Sequence, residues 1–312
     1  MKIGVISDIH SNVIAFRACT GRLEAEGCDE YFFLGDFVSD TPYARETLDY
    51  LYDFAENHVC TLLRGNREEY MLAQRTAVET GAADQIWRYN SASGNLLYTY
   101  ELLTDKDLDF FGKLPIFFEY KKTGYPEIWC CHGSPDNTRE LLQFGSGRTK
   151  RWLGTISCDY LLCAHTHIPG EYIYRGKHCF NPGCTGIAIG DAGYAQCMIL
   201  QDEESEEGKI WKPEFLRVPY DHHKVVRDIF SCGLLEKAPW FINSNIQILL
   251  TGTDHSAEMV ALASRLSVEA GQDNRWPLID ETFFEAAADR LGIPDYRGRC
   301  VPDSFSVLPG RS

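Results

Sequence analysis

The fold is decided by residues 2–36, which read KIGVISDIHSNVIAFRACTGRLEAEGCDEYFFLGD. The β-rich run Lys2–Ser7 predicts a strand, and apolar residues at helical spacing predict a helix over Val13–Ala25. Tyr31–Leu34 predicts a second apolar strand. The alternation continues as helix, strand and helix over Tyr43–Asn57, Cys60–Arg64 and Arg67–Glu79. This order indicates a largely parallel sheet with helices on its faces.

The middle of the chain predicts three helices and then a series of short strands. The helices are expected over Asp84–Leu97, Asp105–Leu114 and Gly147–Ile156. The strands, separated by Gly and Pro, are expected over Ile116–Tyr120, Ile128–His132, Tyr160–Ala164, Glu171–Tyr174, Lys177–Phe180, Ala195–Leu200 and Glu214–Arg217. Their short spacing favours antiparallel hairpins that form a second sheet. The predicted fold class is α/β, with two mixed β-sheets packed as a sandwich flanked by helices in four layers (α/β/β/α).

After Pro219 the pattern becomes helical, which predicts a catalytic domain over 1–219 and a C-terminal helical extension over 220–312, packed on the same domain. Its helices are expected over Asp221–Phe230, Ala257–Ala270 and Asp280–Leu291, with Asp221 as an N-cap. Trp240 and Phe241 are interpreted as packing anchors. The extension has three possible roles: to cap the site, to form a dimer interface or to cover the second sheet. No structure is predicted for the tail, residues 292–312.

The composition is acidic, with a formal net charge of −15 and 44 % hydrophobic residues. This charge argues against nucleic acid as the main partner, because proteins that bind it present a basic face. A small phosphorylated substrate is compatible with this negative charge, because bound divalent cations reverse the local potential of a site. No apolar run has the roughly 18–20 residues of a membrane span, so no membrane partner is expected. A homo-oligomer remains open.

The 12 cysteines are interpreted as buried, reduced thiols. Several lie in apolar runs, such as Cys130 and Cys131, and no pair has the C-x-x-C spacing of a zinc or redox site. Because the opening residues also lack the pattern of a signal peptide, a cytoplasmic location is expected. The acidic run Gln201–Gly208 is interpreted as an exposed turn.

Five short polar segments carry the chemistry, and each directly follows a predicted strand. They are Asp8-Ile9-His10, Gly35-Asp36, Gly65-Asn66, His132-Gly133 and His165-Thr166-His167. Because ligands bind at the carboxyl ends of strands in open α/β sheets, we expect the five segments to converge on one site. The D-x-H and H-x-H spacings place both side chains of each pair on the same side of an extended chain.

The donors in these segments are carboxylate, amide and imidazole groups, without a thiolate. Such donors suit two adjacent divalent cations, with Mn²⁺ foremost and Fe, Zn²⁺ or Ni²⁺ as alternatives. A lone D-x-H, a lone G-D or a single histidine is common in proteins that bind no metal, so the prediction rests on all five segments occurring together. The remaining histidines lack this context and are interpreted as surface or core residues.

The order D-x-H, G-D, G-N, H-G and H-T-H resembles the calcineurin-like metallophosphoesterase superfamily, and most of all its compact bacterial and archaeal phosphodiesterase branch. The resemblance covers roughly residues 1–219 and includes an N-P-G segment at 181–183. It implies that one metal is held by Asp8, His10 and His167. It implies that Asp36 bridges both metals and that the second metal is held by Asn66, His132 and His165.

The same resemblance makes Asp36, Asn66, Arg67 and His132 the candidate catalytic residues. Many relatives carry a histidine, thought to assist the leaving group, where this chain has Arg67. A guanidinium does not act as a general acid, but it can bind a phosphate oxygen; an orientation towards solvent is the alternative. Ala164 replaces a customary Gly. Outside the implied set, Asn12 is expected to contact the site or cap the first helix, and Asn181 to fix a turn.

The resemblance implies a phosphoesterase that cleaves phosphomonoester or phosphodiester bonds with a hydroxide shared by two metals. A protein Ser/Thr phosphatase or a dinucleotide-polyphosphate hydrolase on the same scaffold is an open alternative. A nuclease is disfavoured by the charge. A non-catalytic interaction module is disfavoured by the complete set of ligands.

Overall fold

A computed structural model describes residues 1–206, 208–272 and 275–298 and contains two five-stranded sheets. The strands of the first sheet are β1 (Lys2–Ile6), β2 (Glu30–Phe33), β3 (Cys60–Leu62), β9 (Tyr194–Ser205) and β10 (Gly208–Pro219). They lie in the order β10-β9-β1-β2-β3. The strands β1, β2 and β3 are parallel, as expected, and β9 pairs antiparallel with both β1 and β10.

The second sheet has the order β4-β5-β6-β8-β7. Its strands are β4 (Phe117–Tyr120), β5 (Ile128–Cys131), β6 (Tyr160–Leu162), β7 (Gly170–Tyr174) and β8 (Lys177–Asn181). The three central strands are parallel and the two outer strands antiparallel. Val5 and Phe32 of the first sheet share one apolar core with Cys130 and Phe180 of the second. The predicted sandwich of two mixed sheets is therefore confirmed.

The last two strands were expected in the second sheet, and this was wrong. Both faces of β9 are buried: Met198 and Leu200 face the other sheet, whereas Cys197 and Ile199 face the helices outside the first sheet. A strand covered on both faces fits an interior position next to β1. Hairpin spacing identifies the pair β9–β10 but does not indicate which sheet the pair joins.

The run Gln201–Gly208 is for the most part strand, contrary to the prediction of a turn. Asp202 and Glu204 pair in register with Trp211 and Lys209 across the β9–β10 hairpin. Cross-strand ion pairs explain why so acidic a run remains extended, because Lys209 and Lys212 contact Asp202 and Glu203. Its predicted exposure is correct for most of the side chains.

Helices cover the outer faces of both sheets, which completes the four layers. They are α1 (Val13–Ala25), α2 (Ala44–Asn57), α3 (Asn66–Thr80), α4 (Gly94–Glu101), α5 (Asp105–Lys113) and α6 (Gly147–Thr155). Of these, α6 packs on the second sheet. The helix predicted over Asp84–Leu97 was wrong, since the helix begins only at Gly94. The side-chain oxygen of Asn90 accepts hydrogen bonds from the Ala92 and Ser93 amides, and such local bonds compete with helix formation.

The C-terminal extension forms five further helices within the described residues. They are α7 (His222–Ser231), α8 (Leu234–Lys237), α9 (Pro239–Thr251), α10 (Ser256–Glu269) and α11 (Glu281–Leu291). Asp221 caps α7 as predicted, and its side chain accepts from the Lys224 amide. The prediction omitted α8 and α9. Helix α9 is buried on nearly all sides, so its sequence lacks the amphipathic pattern that marks a surface helix.

The extension packs on the helices outside the first sheet. Its buried side chains, such as Ile242 and Ile246, share an apolar cluster with Ile14 and Tyr43 of the α1–α2 region. Trp240 is buried and Phe241 half-buried, in keeping with their predicted packing role. Residues 299–312 of the predicted tail lie outside the described part. Among the helices that are described, none combines the length and the apolar character that a membrane crossing requires.

Candidate metal centre

The five sequence segments meet at the carboxyl ends of strands from both sheets. Asp8 and His10 follow β1, Asp36 follows β2, and Asn66 begins α3 immediately after β3. His132 follows β5, and the pair His165 and His167 follows β6. Because the sandwich brings these strand ends together, all seven side chains lie in one buried or half-buried cluster. The expected convergence is observed.

The backbone at five of these residues is left-handed. The φ angles are 53° at Asp8, 49° at His10, 55° at Asp36, 65° at His165 and 57° at His167. This conformation costs roughly 1–2 kcal/mol at a residue with a Cβ atom. The loops hold it through interstrand hydrogen bonds, among them Asp8 N to Gly35 O at 3.1 Å and His10 N to Asp36 O at 3.0 Å. Left-handed turns aim successive side chains into the cluster.

One half of the cluster is formed by Asp8, His10 and His167. The Nε2 atoms of His10 and His167 are 3.1 Å apart. His167 Nε2 lies 3.3 Å from Asp8 Oδ1, and His10 Nε2 lies 3.8 Å from the same oxygen. Three donor atoms this close converge on a point where a single cation would contact all of them.

The other half is formed by Asn66, His132 and His165. His132 Nε2 is 3.0 Å from Asn66 Oδ1 and 3.5 Å from Asp36 Oδ1. Ligand atoms of Asp36, His132 and His165 all lie within 4.8 Å of one another. Asp36 Oδ2 is also 4.0 Å from His10 Nε2, so the two Asp36 oxygens point to different halves. Asp36 therefore faces both groups of side chains.

Asp8 and His165 have protonation states that suit the binding of divalent cations, and one Asp8 oxygen lacks a hydrogen-bond partner. Asp8 Oδ1 is buried and has no hydrogen-bond partner. Burial opposes ionisation of Asp8, but the neighbouring His167, His132 and His10 outweigh it and hold the Asp8 pKa well below its usual range. Burial and His132 lower the pKa of His165 to about 4, so its imidazole is neutral at pH 7. Ionised carboxylates and neutral imidazoles are the forms that bind metals. Burial would lower the pKa of His167, but Cys184 and Asp8 outweigh burial and raise it well above its usual value, so His167 must release a proton when a metal binds.

Two of the imidazole rings, those of His132 and His10, are oriented by contacts of their Nδ1 atoms. His132 Nδ1 is 2.8 Å from the Leu34 carbonyl oxygen, and His10 Nδ1 is 2.7 Å from Asp40 Oδ2. Such contacts fix which ring nitrogen carries the proton and leave Nε2 free for a metal. Asp40 is fully buried and was missed by the sequence analysis. Its only signal was a second acidic residue four positions after Asp36.

Two further residues escaped the sequence analysis. The buried Glu68 carboxylate accepts hydrogen bonds from the Asp36, Phe37 and Gly65 amides and thereby joins the loops after β2 and β3. Burial and the nearby Asp36 raise the Glu68 pKa to about 7. Cys184 Sγ lies within 4.8 Å of nitrogen atoms of His10 and His167. It is 3.2 Å from the Asp8 carbonyl oxygen, and burial raises its pKa.

Arg67 does not point to solvent, so that alternative is wrong. Its Nη2 lies 2.9 Å from Asp40 Oδ2, and its Nε lies 3.9 Å from Asp36 Oδ2. The Nε atom is buried and has no hydrogen-bond partner. Burial would lower the pKa of the guanidinium, but Asp40 and Asp36 outweigh it and raise that pKa further. The fixed positive charge lies at the edge of the cluster with one N–H unsatisfied.

Asn12 and Asn181 support the loops from outside the ligand cluster. The Asn12 side chain accepts from the Ala15 amide, so the capping role is confirmed. Asn181 donates to the Ala164 carbonyl oxygen and accepts from the Gly183 amide, which confirms that it fixes a turn beside the site. Ala164 is buried, and its amide donates to the His132 carbonyl oxygen at 2.7 Å.

Known proteins resemble the chain in sequence and fold. A family profile described as calcineurin-like phosphoesterase matches residues 1–169. An uncharacterised protein of Methanocaldococcus jannaschii is 24 % identical over 260 residues, which are 75 % of this chain and 94 % of that protein. A hypothetical protein of Pyrococcus horikoshii has a similar structure, with a TM-score of 0.65 and 22 % identity over 81 % of this chain and 99 % of that one. A metallophosphoesterase of Sphaerobacter thermophilus has a TM-score of 0.59 and 21 % identity over 81 % of this chain and all of its own, 100 %.

Proposed function

The chain belongs to the calcineurin-like phosphoesterase family, and from this premise we propose that it hydrolyses phosphodiester or phosphomonoester bonds of a small substrate with the help of two divalent cations. One observation carries the proposal: Asp36 directs its two oxygens to two adjacent groups of metal-binding side chains. A carboxylate in this position suits a pair of cations better than a single one.

The ligands assigned to the first cation are Asp8, His10 and His167, and those assigned to the second are Asn66, His132 and His165, with Asp36 shared. Mn²⁺ is the cation of choice for this mixture of oxygen and nitrogen donors, and Fe, Zn²⁺ and Ni²⁺ are the alternatives. When bound, two such cations polarise phosphoryl oxygens and lower the pKa of a water molecule between them.

Charge explains how an acidic protein attracts an anionic substrate. The chain has a formal net charge of −15, but the ligand set contains only two carboxylates, Asp8 and Asp36, against two divalent cations. The loaded centre would therefore be positive, whereas the charge of Arg67 at its edge is balanced by the ionised Asp40 beside it.

Arg67 is proposed to bind a non-bridging phosphoryl oxygen. Its Nη2 is held by Asp40, while its Nε has no hydrogen-bond partner but is buried, so the side chain must shift for this nitrogen to donate to a substrate. Hydrogen bonds from a guanidinium to a phosphate are charge-assisted and strong. Because arginine does not release its proton, the leaving group receives its proton from solvent. Esters of acidic alcohols, such as p-nitrophenol, are therefore expected to react faster than simple alkyl monoesters.

The proposal is tested by hydrolysis of bis-p-nitrophenyl phosphate and p-nitrophenyl phosphate. The protein is stripped of metal and refilled with Mn²⁺, and Asp36→Asn is assayed beside the wild type. We expect activity that requires metal and falls by about 10³-fold or more in Asp36→Asn, the scale of losing one electrostatic group at a reaction centre. Asp109→Asn, at an exposed carboxylate on α5, is the control. Metal analysis that finds no bound cation would overturn the proposal.

A further inference from the structure

A cavity of about 530 Å³ lies between α3 and the C-terminal helices α9 and α10. Arg67, which also contacts the metal centre, forms one part of its wall, and Phe241, Trp276, Ile279 and one face of α10 form the rest. Its size falls within the range of roughly 300–1,000 Å³ that is usual for small-molecule pockets. The family profile ends at residue 169, so every part of this wall except Arg67 comes from sequence outside the matched region.

Arg67 belongs to both the cavity and the metal centre. It follows the assigned ligand Asn66 directly, and its Nε is 3.9 Å from the shared carboxylate of Asp36. The same side chain lines the cavity. A phosphoester bound at the centre in contact with Arg67 would therefore lie next to a residue that also lines the cavity.

The indole of Trp276 forms a fixed platform in the wall. Its Nε1 donates to the Ala92 carbonyl oxygen at 2.7 Å, and its ring lies 6.0 Å from Trp87 and 5.8 Å from Tyr70 between centroids. These contacts hold the ring in one orientation although 42 % of the residue is exposed. An exposed aromatic face that is already ordered binds a flat ring at little entropic cost.

The opposite wall leaves room for such a ring. Ala257, Ala261 and Ser264 recur at positions i, i+4 and i+7 of α10 and therefore share one helix face. Their side chains are short, although the larger Val260 of the same helix and Ile279 also line the cavity. Phe241 adds a second aromatic side chain to the wall.

We propose that this cavity binds a flat aromatic group of the nucleobase type that the phosphoester substrate carries. The C-terminal helices would then determine substrate specificity, while the strand-end loops hold the phosphoryl group. This inference rests on the proposed phosphoesterase function and adds a substrate class to it. Trp276 favours an aromatic occupant over an aliphatic chain, because stacking requires a planar partner.

The test compares p-nitrophenyl diesters that release the same leaving group. Thymidine 5′-(p-nitrophenyl phosphate) carries a base, methyl p-nitrophenyl phosphate carries none, and n-hexyl p-nitrophenyl phosphate carries an aliphatic chain. With the Mn²⁺-loaded full chain, we expect kcat/KM to be about tenfold or more higher for the thymidine ester than for the other two, the factor expected of one base–aromatic stack. Equal values, or a preference for the hexyl ester, would overturn the inference.

Two leucines placed in the cavity should abolish the preference. In the double variant Ala257→Leu/Ala261→Leu, the ratio of thymidine to methyl ester is expected to fall to about 1. The matched control Arg265→Leu/Glu269→Leu adds two leucines at exposed positions of the same helix and should keep the wild-type ratio. A Trp276→Ala variant tests the opposite wall and should lower the ratio as well. A ratio that stays at the wild-type value in both cavity variants contradicts the proposal.

A binding measurement separates this inference from the proposed activity. Thymidine 5′-monophosphate and methyl phosphate are titrated into the metal-loaded wild type and the variants by calorimetry. We expect thymidine 5′-monophosphate to bind about tenfold more tightly than methyl phosphate in the wild type, and equally in Ala257→Leu/Ala261→Leu. If neither ester is hydrolysed but this difference is found, the phosphodiesterase proposal fails and the cavity assignment stands. Equal affinity for both phosphates in the wild type overturns the cavity assignment.

Discussion

Asp40 connects several parts of the site. Its carboxylate lies 2.7 Å from His10 Nδ1 and 2.9 Å from Arg67 Nη2, and it accepts a hydrogen bond from Asn95 Nδ2 at 2.7 Å. Its carbonyl oxygen accepts from Asn245 Nδ2 of α9. Burial opposes its ionisation, but Arg67 and His10 outweigh burial and hold the Asp40 pKa well below its usual range.

We predict that Asp40→Asn weakens metal binding by about 10- to 100-fold, because a carboxylate behind a ligand histidine keeps the ring oriented and basic. The measurement is the Mn²⁺ dissociation constant, read by calorimetry on the stripped protein. Asp109→Asn, at a carboxylate that is 61 % exposed, serves as the matched control and should bind Mn²⁺ like the wild type. Wild-type affinity in Asp40→Asn would show that His10 keeps its orientation without the charge.

Gly65 and Gly21 differ in whether the structure has room for a Cβ atom, so Gly21 serves as the control for a substitution at Gly65. A Cβ atom added at Gly65 would lie 2.2 Å from Asp36 Oδ1, whereas one at Gly21 meets nothing within 4 Å. We predict that Gly65→Ala displaces Asp36 and abolishes metal binding. Gly21→Ala should instead stabilise α1 by about 0.5–1 kcal/mol, because alanine is the better helix former.

Metal titration and thermal unfolding of both variants check this prediction. Gly65→Ala is expected to retain less than one tenth of the wild-type Mn²⁺ affinity, because disturbing a metal ligand or its support lowers affinity by about tenfold or more. Gly21→Ala is expected to melt a few degrees higher and to bind metal normally. Full metal binding by Gly65→Ala would mean that the loop has room that the structure does not show.

The side chains of the candidate site could be predicted from the sequence, but the groups that hold them in place could not. The motifs D-x-H, G-D, G-N, H-G and H-x-H each follow a predicted strand. Their order was sufficient to predict that the seven candidate ligand side chains lie in one cluster. Asp40 and Glu68 were missed because their partners are distant in sequence: Glu68 binds the Asp36 amide 32 positions away. An isolated acidic residue at the start of a helix looks like a favourable dipole contact, and only the folded loops show otherwise.

At the scale of elements, α2 and α5 are joined by one buried carboxylate. Asp107 of α5 accepts hydrogen bonds from Arg45 and Tyr52 of α2 and from Thr104 at the start of its own helix. Burial would raise its pKa, but these bonds outweigh burial and lower the pKa below 3.8. The ionised form is therefore the one that stabilises the fold.

We predict that Asp107→Asn lowers the free energy of unfolding by about 1–3 kcal/mol at pH 7. Since the folded-state pKa is depressed, this contribution is fully present above pH 3.8 and is lost as the pH falls through the folded-state value. Urea unfolding at pH 7 and pH 3 measures it. Asp49→Asn, which contacts the same Arg45 but is 64 % exposed, should change stability by less than about 0.5 kcal/mol. A loss that is independent of pH would indicate packing rather than charge.

Sequence periodicity predicted helices well where only one face of the helix is buried. It predicted them less well where the helix is buried on nearly all sides. Helices α1 and α2, which each bury one face, were found almost to the residue. Helix α9 was missed because Asn243, Ser244 and Asn245 are buried inside it and interrupt its apolar pattern. Strand β9 was found. Its place in the first sheet depends on pairing with β1, whose residues lie nearly 200 positions earlier in the chain, and no local sequence pattern encodes such a pairing.

At the scale of the whole molecule, the extension and the preceding region share buried surface. Cys184 and Ile187 lie in one apolar cluster with residues of α7, α8 and α9. Asn245 also donates to the backbone of Asp40, behind the metal centre. The division at residue 219 was drawn from a change in sequence pattern, and these contacts lead us to expect that the two parts fold together.

We predict that a chain ending at residue 219 does not fold cooperatively, because it exposes the apolar surface that the extension covers. Near-ultraviolet circular dichroism and size-exclusion chromatography, with the full-length chain as reference, check the outcome. The fragment is expected to aggregate or to lose its near-ultraviolet signal. A monomeric fragment with the full chain's melting temperature would establish residues 1–219 as an independent domain.

The left-handed backbone at the candidate ligands has a consequence for how this protein can evolve. Five such residues each raise the energy of the folded chain by roughly 1–2 kcal/mol. A lineage released from selection for catalysis would relieve this backbone energy by exchanging the half-buried His165 or His167 for glycine, which adopts the conformation freely. Asp8 and Asp36 differ, because their carboxylates also accept hydrogen bonds from the His165 and Arg67 amides. Descendants that keep the sandwich and lose its chemistry would be expected to show glycine or asparagine at positions 165 and 167 first.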